Sequence, residues 1–115
     1  MRIIGKKILL KCKKKNIGNK LLCQEIDKLI DVLELFEPYK TKQTIKDLRP
    51  DADCVHNDGF YFFDIHIHRI LILIELDDEG EATIMWAGTH QEYDETFKNN
   101  KSTIEKWLRT KNYID

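Results

Sequence analysis

The sequence predicts an α+β domain in which an N-terminal strand and helices pack on an antiparallel sheet, with a helical extension at the C-terminus. Two observations carry this reading. Leu22, Ile26, Leu29, Ile30 and Leu33 recur at i, i+4, i+7, i+8 and i+11, a clear helical period confined to the first half of the chain. From Asp53 the pattern changes to strand-like runs punctuated by Asn57-Asp58-Gly59 and Asp77-Asp78-Glu79-Gly80, both hairpin signals. Helices segregated from strands in this way indicate an α+β fold. At 115 residues the chain reads as one domain, 1–115, large enough for a core without a metal or disulfide.

Taken in order, Arg2-Ile3-Ile4 is a short strand broken by Gly5. Lys6 to Lys15 is an amphipathic helix with Ile8, Leu9 and Cys12 on one side and lysines on the other. Asn19 can cap the long second helix, which Pro38 ends, and Thr41 to Leu48 reads as a short third helix closed by Pro50. Phe60 to Glu75 is almost continuously apolar or aromatic. As a single strand it would extend about 50 Å, too far for a small domain, so a reversal is expected within it, near Ile65 to His68. Ala82 to Ala87 is the last strand. A helix opening at His90 follows, and Ser102-Thr103-Ile104-Glu105 has capping-box spacing for a final helix. Residues 96–115 form the C-terminal extension.

Composition narrows the class. An apolar content of 42% against 34% charged residues is ordinary for a globular chain. No run approaches the roughly 18 apolar residues of a membrane span, and the basic, apolar, small-residue order of a signal peptide is missing, so a cytoplasmic address and no membrane partner are expected. Cys12, Cys23 and Cys54 are scattered without C-x-x-C spacing and read as reduced, packed thiols. The net charge of −1 hides a division, with 13 Lys and Arg against 6 Asp and Glu in residues 1–49, and 6 against 14 in residues 50–115. The lysines around Lys11 and Lys14 either face a polyanion or form the solvated side of a helix. The isoelectric point of about 6.4 is low for a dedicated nucleic-acid binder.

The stretch richest in chemistry is Gly88-Thr89-His90-Gln91-Glu92-Tyr93-Asp94. Thr89 and Glu92 have capping-box spacing, which makes Thr89 the N-cap and His90 the first helical residue, with His90 and Tyr93 sharing a face. The first turn of a helix attracts anions, so a phosphate fits there, and the helix dipole is expected to keep the imidazole neutral. Arg69 offers a planar fork suited to phosphate, while His68 points to the other face of a regular strand. Lys98 is a further cation. His66 and His68 are spaced to share a strand face but, without a carboxylate or thiol partner, read as a polar face rather than as a metal pair. Trp86 and Trp107, and the run Phe60-Tyr61-Phe62-Phe63, read as packing.

These residues together resemble the HigB branch of RelE-like toxins of bacterial type II toxin–antitoxin systems. The Met1-Arg2-Ile3-Ile4 start, Ala52-Asp53 leading through Val55 and Asn57 into Phe62-Phe63-Asp64-Ile65, His68-Arg69 opening the next strand, and Gly88-Thr89-His90-x-Glu92-Tyr93-Asp94 carry the likeness. The resemblance implies a RelE-like fold and an mRNA interferase: a ribosome-dependent endoribonuclease that uses the ribose 2′-OH as nucleophile without metal or other cofactor. It also implies silencing by a helix-turn-helix, HigA-like antitoxin. His90, Tyr93 and Arg69 are then the expected catalytic residues, and His68, Lys98, Lys11 and Lys14 the expected RNA contacts, with mRNA and the ribosome as partners. One departure is conspicuous. Relatives usually carry an Arg three residues before the Gly of this motif, where this chain has Met85, so cleavage is expected to be weakened or rebuilt around Arg69 and Lys98. The alternative is a non-catalytic RelE- or ParE-like protein that engages an antitoxin or a topoisomerase.

Overall fold

The computed structural model describes residues 1–37, 44–56, 59–76 and 80–115. Their elements run β1 (Arg2–Ile4), α1 (Lys6–Lys15), α2 (Lys20–Leu35), α3 (Ile45–Leu48), β2 (Asp53–His56), β3 (Phe60–Ile65), β4 (His68–Glu75), β5 (Glu81–Thr89), α4 (His90–Phe97) and α5 (Lys101–Thr110). The strands form one sheet in the order β1-β5-β4-β3-β2, antiparallel except for β1, which lies parallel to β5. This is the α+β architecture read from the sequence. Pro38, Asn57-Asp58 and Asp77-Asp78-Glu79, each assigned a role in ending or turning the chain, and residues 41–43, assigned to the start of the third helix, lie outside the described residues.

Side-chain parity on the strands divides the core in two. On one face Phe63, Ile65, Ile70, Ile72, Ala82 and Ile84 pack against Leu9 of α1 and the predicted Leu22, Ile26, Leu29, Ile30 and Leu33 stripe of α2, all buried. On the other face Phe60, Phe62, Leu71 and Met85 pack against Tyr93 and Phe97 of α4 and Ile104 and Leu108 of α5. A sheet covered on both faces needs apolar residues at both parities, which is why Phe60 to Glu75 lost its alternation. The reversal inside that run is tight. Ile65 pairs directly with His68, leaving His66 (φ 54°) and Ile67 as the turn.

Local chemistry explains the connections. Gly5 precedes α1 with φ 77°, and a Cβ there would stand 2.8 Å from the Ile84 carbonyl, so the β1–α1 corner requires glycine. Asn19 caps α2 by accepting from the Leu22 amide, and Thr44 and Asp47 form a capping box on the short α3. The expected capping box at Ser102 is not formed. Lys98 and Asn99 take left-handed conformations (φ 55° and 47°), and Asn100 then caps α5 by accepting from the Thr103 amide at 3.2 Å. The cap therefore falls two residues earlier, and Ser102 lies inside the helix, because the two left-handed residues end α4 and turn the chain at once. In β5 the register shifts between Ile84 and Trp86, so Met85 is the extra residue of a bulge, and Met85 and Trp86 both lean toward the α4–α5 face.

The C-terminal extension is thus part of the core. Replacing Leu108, which is fully buried, with Ala is expected to cost about 2–5 kcal/mol in a denaturant melt; a loss under about 1 kcal/mol would mean that α5 does not seal this face.

Candidate functional site

Three pieces meet at the end of the sheet where β4 begins and β5 stops. The first is the helix start. The Thr89 amide donates to Glu92 Oε1 (2.9 Å) and the Glu92 amide to Thr89 Oγ1 (3.1 Å), a complete capping box that makes His90 the first residue of α4. These bonds hold the Glu92 carboxyl below its ordinary range. The His90 amide donates to the Ile67 carbonyl at 3.1 Å, so the β3–β4 turn is tied to the helix it faces. Two first-turn amides are therefore already bonded, which narrows the anion site expected there. The His90 ring is half-exposed, at 52%, with Nε2 3.8 Å from Asp64 Oδ1.

The second piece is the cross-strand pair Asp64–Arg69. Arg69 Nε donates to Asp64 Oδ1 at 3.0 Å, and an Nη lies 3.5 Å from Asp53 Oδ2. Its guanidinium carbon lies 4.4 Å from the Tyr93 ring centroid and 4.9 Å from that of Phe62, leaving the side chain 12% exposed. A buried cation needs such compensation from carboxylates and ring faces. Asp64 is itself clamped. Asp51 accepts from the Asp64 amide (2.9 Å), while Arg49 donates to the Asp64 carbonyl (3.1 Å) and to both oxygens of Asp51 (2.8 and 3.0 Å). Burial works against ionising Asp51, but Arg49 and the backbone donors outweigh it and its pKa is lowered.

The third piece is His68, one residue from Arg69 and on the opposite face. It is 4% exposed, and its Nδ1 has no hydrogen-bond partner. Burial pushes its pKa below 6.5; the nearby Glu92 opposes this, and His66 and His90 add to it.

The structure thus brings His90 and Arg69 together through Asp64, a residue given no role from the sequence. Its signal was present: once the reversal is placed at His66-Ile67, residues 64 and 69 must face each other. Tyr93 is placed otherwise than expected. Helix α4 turns that side onto the sheet, so the ring is 3% exposed beneath Arg69 and its hydroxyl donates to Asn99 Oδ1 (3.1 Å). Burial raises its pKa, against the opposing charge of Arg69. Tyr93 is a platform for the guanidinium, closed to a stacking base.

Lys98 caps the far end of α4, about 12 Å of helix rise from His90. Lys11 lines a groove beside His68, but Lys14 lies outside it and Lys15 takes the second place. Met85 is 7% exposed in the apolar core, so no cation stands at the bulge. Trp86 sits edge-on to Phe62 and Phe97, and a Cβ on Gly88 would fall 2.7 Å from the indole, so glycine there lets the ring lie against the strand. Among the described residues no three His, Cys, Asp or Glu side chains converge as a metal site, and no helix is long and apolar enough to cross a membrane.

A strand–helix–helix start on a mostly antiparallel sheet, followed by a His-led helix after the last strand, defines a RelE-like domain. The family model for the HigB toxin, described as the RelE-like toxic component of a toxin–antitoxin system, matches residues 24–96, and the chain belongs to that family. The match runs from α2 almost to the end of α4 and includes Asp64, Arg69 and His90, while β1, α1 and α5 lie outside it. No curated protein and no solved structure gives a significant match. The chain is accordingly a toxin of a toxin–antitoxin pair, with an antitoxin as its partner.

Buried neutral His68 makes stability depend on pH with a definite sign. The unfolded chain takes a proton near pH 6.5 and the folded chain resists it, so this contribution is full above pH 6.5 and lost as pH falls through that value. Denaturant melts at pH 7.5 and 5.5 should show a larger loss for the parent protein than for His68→Phe; equal losses would place the effect elsewhere.

Proposed function

We propose that this toxin is an mRNA interferase that cuts translated mRNA on the ribosome in the cytoplasm, and that it is silenced by a helix-turn-helix, HigA-like antitoxin. The observation that carries the reading is the accessible His90 imidazole at the front of α4, beside the carboxylate that also holds Arg69. Family membership supports the class of reaction. The chemistry asks for a base to take the 2′-OH proton, a cation for the charge on the phosphorane, and a proton for the departing 5′-oxygen. His90 takes the first proton as the 2′-oxygen bonds to phosphorus. Asp64 stabilises the imidazolium so formed, which carries the proton that the 5′-oxygen needs when its bond to phosphorus breaks. The products are a 2′,3′-cyclic phosphate and a 5′-hydroxyl. Arg69 has five N–H donors and spends them only partly on Asp64 and Asp53, so it can still meet a phosphate oxygen.

A second reading, a non-catalytic protein that engages its antitoxin or a topoisomerase, is favoured by one set of contacts. Arg69 already has two carboxylate neighbours, and the usual Arg position is the buried Met85.

Induced expression separates the two. In the first reading His90→Ala abolishes toxicity and lowers mRNA cleavage in a translating extract by about 10²-fold or more, whereas Tyr93→Phe, which keeps the ring beneath Arg69, costs far less. Toxicity that survives His90→Ala and comes with DNA damage would establish the second.

A further inference from the structure

The groove on the opposite face of the sheet end is not used by the chemistry above. It has a volume of about 580 Å³ and runs between α1 and the ends of β4 and β5, within the roughly 300–1,000 Å³ of small-ligand sites. Its walls are apolar where Ile8 and Ala87 contribute, and the His68 ring lies on its lining, with Nδ1 closed to solvent and without a partner. A buried polar atom without a partner is costly unless something meets it.

The charged groups sit at the rim. Lys11 and Lys15, one helical turn apart on α1, face Glu92 across the opening. Glu92 is engaged by the Thr89 amide, and the Cys12 thiol between the lysines is kept protonated by burial. The rim therefore carries two positive charges against one occupied negative charge. Apolar walls, a neutral hydrogen-bonding ring and a cationic rim match a flat heterocycle that carries a phosphate. An acidic peptide side chain would satisfy the lysines and leave the walls and the imidazole unmet.

We propose that this groove binds one nucleotide of the RNA, its base against the apolar walls and the His68 ring and its phosphate at Lys11 and Lys15. Thr89 borders the groove and His90 follows it, so an RNA strand crossing the sheet end at the His66-Ile67 turn places a neighbouring nucleotide there while its scissile phosphate lies at Arg69. The identification of that nucleotide as part of a substrate rests on the nuclease reading; the groove's affinity for nucleotides does not.

The test uses the full chain carrying His90→Ala, titrated with 5′-AMP, 5′-GMP, 5′-CMP and 5′-UMP and followed by NMR. At least one should give saturable shifts in Lys11 to Asn16, His68 and Ala87 to Thr89, at lower concentration than inorganic phosphate. Lys15→Gln, a surface change, should weaken binding about threefold to fivefold, and His68→Phe should reduce the preference among bases. Groove shifts without cleavage by the parent protein would uphold the groove and remove the nuclease reading. Cleavage dependent on His90 with no groove shifts, or with product patterns unaltered by Lys15→Gln and His68→Phe, would overturn the groove and keep the nuclease. Shifts given equally by inorganic phosphate, or only by the antitoxin, would also overturn it.

Discussion

The geometry of the candidate site depends on one pairing, Asp64 opposite Arg69. A cation left 12% exposed is tolerated because Asp64 and Asp53 neutralise it and the Phe62 and Tyr93 rings flank it. Removing Asp64 would leave the guanidinium with the half-exposed Asp53 as its carboxylate neighbour and the two ring faces beside it. The pairing in turn requires a turn of two residues at His66-Ile67, and Asp64 cannot drift because Arg49 and Asp51 bond its carbonyl and amide. The Ile67 carbonyl of the same turn accepts from the His90 amide. Sheet, turn and helix start are thereby locked into one frame, with the half-exposed imidazole at its front.

What was legible in the sequence followed from periodicity and caps. The α2 stripe, the Thr89–Glu92 capping box and the reversal before His68 each leave a local pattern, and each is present in the structure. The role of Tyr93 was not legible, because it depends on which face of a helix meets the sheet, and that of Asp64 becomes legible only once the reversal is fixed at His66-Ile67. His90 and Tyr93 are neighbours at i and i+3, yet α4 buries one and leaves the other in solvent. The cap of α5 was misplaced for a related reason: Ser102 fits a spacing rule, but Lys98 and Asn99 turn the chain so that Asn100 reaches the orphan amide first. The bulge at Met85 has no sequence marker, and it is what places two successive residues on the α4–α5 side.

Charge is where this chain departs from a simple RNA-binding surface. The Arg69 cluster is lined by carboxylates, and the lysines gather on α1 across the sheet. A polyanion held at both places must pass over the sheet end, where His68 and Arg69, consecutive in sequence, present one side chain to each face. An apolar Met85 fits this division, since a charged side chain at that position would enter a core of Phe62, Tyr93, Phe97 and Leu108. The α5 helix that closes this core lies beyond the residues the family model matches, so the apolar bulge and the C-terminal helix form one packing solution.

The central claim is that Asp64 acts through His90 as well as through Arg69. A double-mutant cycle on mRNA cleavage measures this directly, with Asp64→Asn and His90→Ala made singly and together and with folding checked by melts. The account predicts that Asp64→Asn lowers cleavage by about tenfold or more in the parent protein and adds little once His90 is Ala. Equal losses in both backgrounds would contradict it, because Asp64 would then serve the sheet and Arg69 alone.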